Sequence, residues 1–323
     1  MRAVVCRRYG PPEDLVIDEL PDPAPGPGEL VVRVRAAAVN FPDVLLIAGK
    51  YQVQIPVPFT PGSELAGDVV AVGDGVALAP GDRVIGTTFV GAFAEQALLR
   101  TESVTLVPDG VDYATAASFG VTYRTAYHAL RSVAQVAQGD WVVVLGAAGG
   151  VGLAAVDLAV AMKARVLAAA SSPEKLDVCR RRGAEALIDY DREDLKQRIR
   201  DFTGGGAQVV LDPVGGPYSE PALRGLARGG RFVTLGYAAG SIPAIPLNLV
   251  MLKGITLQGM EIRTFGTDHP DQAARDVREL QQMFAAGRIK PYIGARFPLG
   301  DTAAALRYVA DRKAIGKVVI DVD

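Results

Sequence analysis

The chain has 323 residues, of which 49% are hydrophobic and 22% charged, and this length and composition are typical of a globular protein with two domains. Its 34 basic and 36 acidic side chains give a formal net charge of −2, so bulk charge gives no reason to expect a nucleic acid or a membrane as a partner. We find no segment with the roughly 20 apolar residues of a membrane span and expect no signal peptide.

The cysteines and histidines argue against disulfides and metal sites. Two cysteines, Cys6 and Cys179, are too few for a disulfide framework, and we expect a reducing cytoplasm. Zinc sites use three or four ligands, some usually close in sequence, whereas these cysteines and the two histidines are far apart. We therefore expect no metal, a helical His128 with its ring hydrogen-bonded, and a His269 that precedes a helix.

The first hundred or so residues are rich in turns and β-like. The segment "LVVRVRAAAV" alternates apolar and polar residues at first, as a half-buried strand does, and turn clusters such as "PAPGPGE" and "APGDRV" separate short strands. This pattern predicts a compact barrel or sandwich. The segment "NFPDVLLIAGKY" interrupts it and predicts a short helix, with Pro42 near the first helical position.

From about Tyr123 the pattern changes. The run "WVVVLG" is continuously apolar, as a parallel strand buried on both faces is, and "RVLAAAS", "ALIDY", "QVVLDPVGG", "RFVTLG" and "GITLQGM" predict further strands. Helical segments such as "SPEKLDVCRRRG" and "REDLKQRIRDFTGG" separate most of them. Strands alternating with helices predict an α/β fold with a doubly wound parallel sheet.

The C-terminal segment predicts a helix from Pro270 to Gly287, followed by a strand, a helix and a closing strand. Because no helix follows the last strand, we expect it to rejoin the β-rich part. The predicted division is therefore residues 1–122 plus 265–323 for the β-rich domain and residues 123–264 for the α/β domain.

The segment "VLGAAGGVGLAAVDLA" has the strand–turn–helix context of a dinucleotide-binding turn. In the Gly-x-Gly-x-x-Gly register, Gly149 and Gly152 fill the second and third positions, and Ala147 stands at the first. Gly149 and Gly150 would let the backbone approach a pyrophosphate at the helix N-terminus, and Gly152 would let the helix pack closely on the strand.

The end of the second strand favours NADPH over NADH. Enzymes that select NAD often place a carboxylate roughly 20 residues past the glycines, to bind the ribose 2′-hydroxyl. This chain instead has small residues and a cation there, with Ser171 and Ser172 followed by Lys175. The alternative is that Ser172 is only a helix cap and Lys175 only a surface lysine.

The sequence resembles the zinc-free branch of the medium-chain dehydrogenase/reductases, the NADPH:quinone oxidoreductase family that includes zeta-crystallin. The resemblance rests on "NFPDVLLIAGKY", "PFTPGSELAG", "GVTYRTAYHAL", "GAAGGVGLAAV", "SSPEKL", "LIDY", "DPVGG" and "DRKAIGKVV", and it covers nearly the whole chain. It implies a Rossmann NADPH-binding domain, a GroES-like catalytic domain and a cytoplasmic homodimer that reduces a small quinone or enone.

The resemblance also implies roles for individual residues. Asn40 stands where zinc-dependent relatives carry a cysteine ligand, and Leu45 where some bacterial relatives carry a tyrosine. Three residues would border the nicotinamide and the acceptor as catalytic residues: Asn40, Asp43 and Tyr51. Ten would bind the cofactor: Thr125 near the nicotinamide, Gly149, Gly150, Val151 and Gly152 at the pyrophosphate, Ser171, Lys175, Tyr190 and Arg312 at the 2′-phosphate, and Gly236 beneath the nicotinamide ribose.

Several alternatives stay open at this stage. Asn40 could simply turn the backbone, Asp43 could stabilise a helix N-terminus and Tyr51 could be a packing residue. Related branches reduce the double bond of enals, enones or enoyl thioesters, and a protein that binds NADPH or RNA without turnover is a rival from another class. The physiological acceptor, and transfer by hydride or by single electrons, are left undecided by the sequence.

Overall fold

The computed structural model describes residues 1–322. The strands, in chain order, are β1 (Arg2–Val5), β2 (Val16–Glu19), β3 (Glu29–Val39), β4 (Glu64–Val72), β5 (Arg83–Thr87), β6 (Gln96–Arg100), β7 (Val104–Leu106), β8 (Trp141–Leu145), β9 (Arg165–Ala170), β10 (Ala186–Asp189), β11 (Ala207–Asp212), β12 (Leu226–Thr234), β13 (Thr256–Gly259), β14 (Ile293–Pro298) and β15 (Lys317–Asp321). The α-helices are α1 (Phe41–Ile47), α2 (Tyr113–Ala117), α3 (Gly120–His128), α4 (Gly150–Ala161), α5 (Pro173–Arg181), α6 (Leu195–Thr203), α7 (Ser219–Gly225), α8 (Leu247–Lys253), α9 (Ile262–Asp268), α10 (Pro270–Ala285) and α11 (Thr302–Ala310).

The described residues form two compact units. The first contains Met1–Val121 together with the residues from Pro291 onward, and the second contains Thr122–Lys290. The first boundary lies within one residue of the predicted one. The second differs, because the predicted division assigned residues 265–290 to the β-rich unit.

Long-range contacts explain why residues 265–290 belong to the second unit. The rings of Phe265 and His128 pack with their centroids 4.6 Å apart. His128 Nδ1 lies 3.0 Å from the buried carboxylate of Asp276, and the Tyr127 hydroxyl donates to Glu279 at 2.7 Å. The amphipathic pattern of α10 shows that it buries one face but carries no information on the partner of that face.

In the described chain, the second unit is built on a six-stranded parallel sheet in the order β10-β9-β8-β11-β12-β13. Renumbered within the unit, this is the order 3-2-1-4-5-6 of dinucleotide-binding folds. Every residue of β8 is buried, as expected for a strand covered by helices on both faces. The predicted α/β fold with a doubly wound parallel sheet is therefore confirmed.

This topology identifies one edge of the sheet as the ligand-binding edge. The order reverses between β8 and β11, and ligands of such sheets bind outside the carboxyl ends of the strands at this switch point. The segments that follow β8, β9 and β12 all leave the sheet at this edge. They carry Gly149, Ser171 and Gly236 respectively.

The first unit is built, within the described residues, on a sheet in the order β14-β15-β3-β4-β5-β7, with β6 also pairing with β3. Its C-terminal strand β15 runs antiparallel to β3, with Val318 opposite Val39. The predicted return of the chain end to the β-rich part is therefore correct. In the same sheet, Leu65 at the start of β4 lies opposite Ala37 near the end of β3.

None of the helices within residues 1–322 is long and apolar enough to cross a membrane. Cys6 and Cys179 are both free thiols and both buried.

Candidate functional site

The glycine turn between β8 and α4 has the geometry of a pyrophosphate cradle. Gly149 is the N-terminal cap of α4, with extended backbone angles. A Cβ on Gly152 would lie 2.2 Å from the Gly146 carbonyl oxygen and 2.8 Å from Ala147 Cα, so this glycine is required for the close approach of helix and strand. The first N–H groups of α4, including those of Gly150 and Val151, have no acceptor inside the helix and are suited to an anion.

Two further glycines lie at the same edge of the sheet, and Gly236 leaves room that the described residues do not fill. A Cβ on Gly149 would meet the Gly146 carbonyl oxygen at 3.3 Å, and one on Gly236 would meet the Pro213 carbonyl oxygen at 3.5 Å. The contact at Gly236 is an ordinary one, whereas the contact at Gly149 is tight because the Gly146 oxygen belongs to the backbone; neither glycine has the positive φ that excludes a side chain. Open space beside a glycine that the chain itself does not require fits the close approach of a bound dinucleotide.

The loop after β11, which carries the motif "DPVGG", is fixed by one buried carboxylate. Asp212 Oδ1 accepts from the backbone N–H groups of Val214 and Gly215, both at 2.8 Å, and its Oδ2 accepts from the Ser219 hydroxyl at 2.5 Å. The Asp212 carbonyl accepts from Leu235 N–H at 2.8 Å, next to Gly236. Sequence reasoning missed this structural role of Asp212.

Three of the residues predicted at the 2′-phosphate come together at the carboxyl ends of β9 and β10. Lys175 Nζ donates to the Ser171 hydroxyl at 3.0 Å, so the ammonium is directed to the end of β9. Tyr190 follows β10 directly and its N–H donates to the Ala170 carbonyl at 3.1 Å. Ser172 caps α5, as the alternative for this residue expected. Lys175, in contrast, makes a side-chain contact with Ser171 that a fully solvated surface lysine would not make.

The remaining predicted cofactor residues lie elsewhere in the fold. Thr125 is buried in α3 of the second unit. Arg312 belongs to the first unit and follows α11 in the left-handed backbone region, with φ +57°. Their roles toward a cofactor remain predictions.

In the first unit, a network of buried polar side chains occupies the ends of three neighbouring strands. Asn40 follows β3, Glu64 begins β4 and Lys317 begins β15, and their side chains are almost completely buried. Lys317 Nζ donates to Asn40 Oδ1 at 2.7 Å and to Glu64 Oε1 at 2.8 Å. Asn40 Nδ2 donates to the same Glu64 oxygen at 2.9 Å and to the Ser63 hydroxyl at 3.2 Å.

Glu64 is held from a second side by the start of α3. Its Oε2 accepts from the backbone N–H of Val121 at 2.7 Å. Gly120 makes this approach possible, because a Cβ there would lie 3.2 Å from Glu64 Oε2 and 2.8 Å from Thr87 Cγ2. Both carboxylate oxygens of Glu64 are therefore hydrogen-bonded, as a buried charge requires.

Asp43, in the first turn of α1, is fully buried beside this network. Its Oδ2 accepts from the Asn40 backbone N–H at 2.7 Å, and its Oδ1 has no hydrogen-bond partner among the described residues. Burial raises the pKa of this carboxyl to about 7, and the nearby Glu64 charge acts in the same direction. The hydrogen bond from the Asn40 backbone N–H, the Lys317 charge and the Ser63 hydroxyl lower the pKa and offset part of this shift. Asp43 therefore stabilises the start of the helix and also keeps a proton up to near-neutral pH.

Tyr51 follows α1 and is partly buried, with its ring centroid 6.3 Å from that of Phe89. This aromatic contact supports the packing explanation without excluding a catalytic one. Sequence reasoning missed Lys317, although "DRKAIGKVV" was singled out as a motif. The only local signal was a lysine before the apolar residues 318–320, and such a lysine does not by itself indicate burial.

The polar network does not fit a zinc ion. Among residues 1–322, no group of three or more His, Cys, Asp or Glu side chains could hold a metal ion. At Asn40 the two oxygens best placed to bind a metal, Asn40 Oδ1 and Glu64 Oε1, both accept from the Lys317 ammonium. An ammonium at hydrogen-bond distance from both oxygens competes with any cation for them.

Comparison with known proteins agrees with this geometry. The family model described as "Alcohol dehydrogenase GroES-like domain" matches residues 26–109, and the one described as "Zinc-binding dehydrogenase" matches residues 150–281. The chain is 36% identical to the quinone oxidoreductase-like protein 2 homolog of Nematostella vectensis, over 99% of this chain and 88% of that protein.

Two solved structures are similar over essentially the whole chain. The Escherichia coli quinone oxidoreductase complexed with NADPH has a TM-score of 0.92 and 27% identity, over 99% of this chain and 100% of the other. A protein described as an NAD-dependent alcohol dehydrogenase has a TM-score of 0.92 and 31% identity, over 100% of each chain. With a parallel dinucleotide-binding sheet, a GroES-like domain and these relatives, the chain belongs to the medium-chain dehydrogenase/reductase family of oxidoreductases, in the branch related to the quinone oxidoreductases.

Proposed function

We propose that the protein is a metal-independent oxidoreductase that reduces a small quinone with NADPH. The observation that carries the proposal is the contact between Lys175 and Ser171 at the end of β9, where an NAD-selective enzyme would place a carboxylate. The names of the relatives support the quinone as acceptor. Of the two similar solved structures, one is named with NADPH and the other as NAD-dependent. The preference of this chain for NADPH over NADH is therefore argued from its side chains.

The charge at the end of β9 favours a 2′-phosphate. This phosphate carries close to two negative charges, and a hydrogen bond to a charged group contributes roughly 1.5–3 kcal/mol. One such contact corresponds to about a tenfold to hundredfold preference for NADPH. Lys175 and Ser171 supply a cation and a hydroxyl, Tyr190 lies beside them at the end of β10, and we propose that Arg312 also contacts the cofactor.

For the acceptor, the chain supplies hydrogen-bond donors. When bound, NADPH supplies the hydride. A quinone oxygen becomes negative as it is reduced, so a fixed donor near it lowers the barrier. We propose Asn40 and Tyr51 as these donors, with Asp43 holding the backbone of Asn40 in place and Thr125 near the nicotinamide. A quinol is a stable product, so no dedicated general acid is required.

The active form is proposed to be a homodimer in the cytoplasm. β13 is the last strand of its sheet, and its outer edge is open to pairing within the described chain. The helix α8 precedes β13 in the chain and packs on β12, and it exposes large apolar side chains, with Leu247 and Met251 exposed to 74% and 73%. An open sheet edge and an apolar helix in the same unit suit the same surface of a second copy, because a two-fold axis pairs identical patches. The free thiols of Cys6 and Cys179 suit a reducing compartment.

The experiment is a panel of quinones, enones and enoyl thioesters assayed with NADPH and with NADH. We expect quinones to give the highest kcat/KM and NADPH to be preferred by at least about tenfold. Turnover confined to enones or enoyl thioesters would replace the quinone by an activated double bond, and a lack of turnover with every acceptor would leave a binding protein.

A charge reversal tests the cofactor corner. Lys175→Glu should remove the attraction and add repulsion, so that the NADPH advantage falls to about equality while kcat/KM for NADH changes little. Lys196→Glu, at a partly exposed position of α6 in the same unit, is the control and should keep the preference. A wild type that uses both cofactors equally, or an unchanged preference in Lys175→Glu, would refute this role of Lys175.

A further inference from the structure

We propose that Lys317 and Glu64 are positioning residues that fix the side-chain amide of Asn40 in one orientation, with an N–H available to the acceptor. This inference rests on the proposed function of Asn40. It assigns a role in the reaction to two residues that would not touch the acceptor themselves. The argument depends on the buried contacts at the ends of β3, β4 and β15.

Strand pairing brings the charges to Asn40. β15 and β4 both run antiparallel to β3 on its two sides, so the first residues of both strands lie beside the last residues of β3. Val318 is opposite Val39, which places Lys317 beside Asn40. Glu64 begins β4 at the other side, so the amide lies between a cation and an anion.

Lys317 is fully engaged by this arrangement. Its ammonium donates to Asn40 Oδ1 at 2.7 Å, to Glu64 Oε1 at 2.8 Å and to the Val39 carbonyl oxygen at 3.2 Å. An ammonium has three N–H groups, and these acceptors use all of them. With 3% of its surface exposed, Lys317 is placed to orient a neighbour rather than to bind an acceptor.

The two charges determine which way the amide faces. The ammonium has no acceptor atom, so it can be met only by the amide oxygen, and the ionised carboxylate of Glu64 has no donor, so it can be met only by the amide N–H. A flipped amide would place Oδ1 against the carboxylate and Nδ2 against the ammonium. The orientation with Oδ1 on Lys317 and Nδ2 on Glu64 is therefore enforced from both sides.

In this orientation, one of the two amide hydrogens can change its hydrogen-bond partner and donate to the acceptor. Of the two Nδ2 hydrogens, one is held by Glu64 at 2.9 Å, through a bond to a charged group. The other faces neutral acceptors at longer distances, the Ser63 hydroxyl at 3.2 Å and the Ala38 carbonyl oxygen at 3.5 Å. A neutral hydroxyl is the weaker acceptor, and an acceptor oxygen that gains negative charge would replace it favourably. Lys317 on the far side of the amide strengthens this donor by polarising the carbonyl.

The stability of the fold does not by itself explain why Lys317 and Glu64 form a buried ion pair. Burying two charges is expensive, and apolar residues of similar volume often do as well or better. Removing one charge leaves the other unpaired, so Lys317→Met alone is expected to destabilise the first unit. The double variant Glu64→Gln/Lys317→Met removes both charges together and keeps similar volumes, so it is the variant expected to fold.

The experiment compares this double variant with Lys317→Arg, with Asn40→Ala and with the control Lys313→Met, an exposed lysine shortly before β15. Melting temperature, NADPH affinity by fluorescence, and kcat and KM are measured with the acceptor of highest turnover. We expect the double variant to lose about tenfold or more in kcat, with acceptor KM and NADPH affinity within about twofold of wild type. Lys317→Arg should retain more kcat, because it keeps a cation, and Lys313→Met should match wild type.

Adding the double variant to Asn40→Ala separates positioning from independent effects. If Lys317 and Glu64 act through Asn40, then adding Glu64→Gln/Lys317→Met to Asn40→Ala should lower kcat by less than about twofold relative to Asn40→Ala alone. Fully additive losses, or wild-type kcat in the double variant while Asn40→Ala is impaired, would overturn the inference and leave the proposed function intact. Wild-type kcat in Asn40→Ala would overturn both the role of Asn40 and the inference.

A readout without turnover uses the cofactor-free protein. The side-chain amide protons of Asn40, identified by their absence in Asn40→Ala, should give a distinct and slowly exchanging pair in the NMR spectrum of wild type. In Glu64→Gln/Lys317→Met the same pair should lose its protection from exchange. Unchanged protection would overturn the inference even if no acceptor were turned over.

Discussion

Asp43 allows a test that depends on burial and not on catalysis. Its carboxyl is fully buried, and burial raises its pKa to about 7, whereas an aspartate in an unfolded chain titrates near pH 4. Because the folded state holds the proton more tightly, ionisation of Asp43 opposes folding. The contribution of the protonated carboxyl is complete below about pH 4 and is lost as the pH rises towards 7, after which both states are ionised and the loss stays constant.

The magnitude follows from the shift. About three pKa units at about 1.4 kcal/mol each set a ceiling of about 4 kcal/mol on the loss of unfolding free energy. Roughly 2–3 kcal/mol of this falls between pH 5 and pH 8. A domain of this size changes its melting temperature by roughly 2–4 °C per kcal/mol, so the effect amounts to roughly 5–10 °C.

Asp43→Asn removes the ionisation and keeps an oxygen for the Asn40 backbone N–H. The melting temperature of the variant minus that of wild type should therefore rise from pH 5 to pH 7.5 and then level off. Thermal unfolding of the cofactor-free protein at pH 5, 6, 7 and 8 measures this difference, and the constant cost of the new amide does not affect its trend.

The exposed Asp109, in the same unit, provides the matched control. The same series on Asp109→Asn measures the effect of exchanging a surface aspartate for asparagine, and the trend of Asp43→Asn is compared with it. A flat difference for Asp43→Asn, or one that falls as the pH rises, would refute the assignment of a retained proton to Asp43.

Three further predictions concern the metal, the glycine turn and the dimer. The purified protein should contain far less than one zinc per chain and keep its activity in a chelator; about one tightly held zinc, with activity lost on its removal, would contradict this. Gly236→Ala, whose Cβ would have an ordinary contact at 3.5 Å, should melt near wild type yet bind NADPH more weakly, whereas Gly152→Ala should melt lower because its Cβ would lie 2.2 Å from a backbone oxygen; equal behaviour of the two in melting and fluorescence titration would contradict the proposed cofactor contacts. Leu247→Lys combined with Met251→Lys should convert a dimer to a monomer in analytical ultracentrifugation, and an unchanged sedimentation coefficient would exclude this face.

The sequence predicted the elements whose signal is local. The apolar run of β8 and the glycines before α4 identify a buried strand and its turn without any knowledge of the rest of the chain. α8 was missed, because its apolar residues, such as Leu247 and Met251, are exposed within the described chain and give no amphipathic pattern toward the core. Residues 265–290 were assigned to the other unit, because the partner of α10 depends on Asp276 meeting His128, which is 148 residues away.

The buried network shows the same dependence on long-range pairing at the candidate site. Lys317 meets Asn40 and Glu64 across 277 and 253 residues of sequence, and only the order of the strands brings them together. A single lysine that begins an apolar strand indicates, by itself, a solvent-exposed strand end. Because Lys317 is buried beside Glu64, it can orient Asn40. The C-terminal strand β15 therefore contributes to the proposed acceptor site at the end of β3. Beside Asn40, Asp43 and Tyr51, the proposed acceptor site therefore includes the two buried charges that determine which way the Asn40 amide faces.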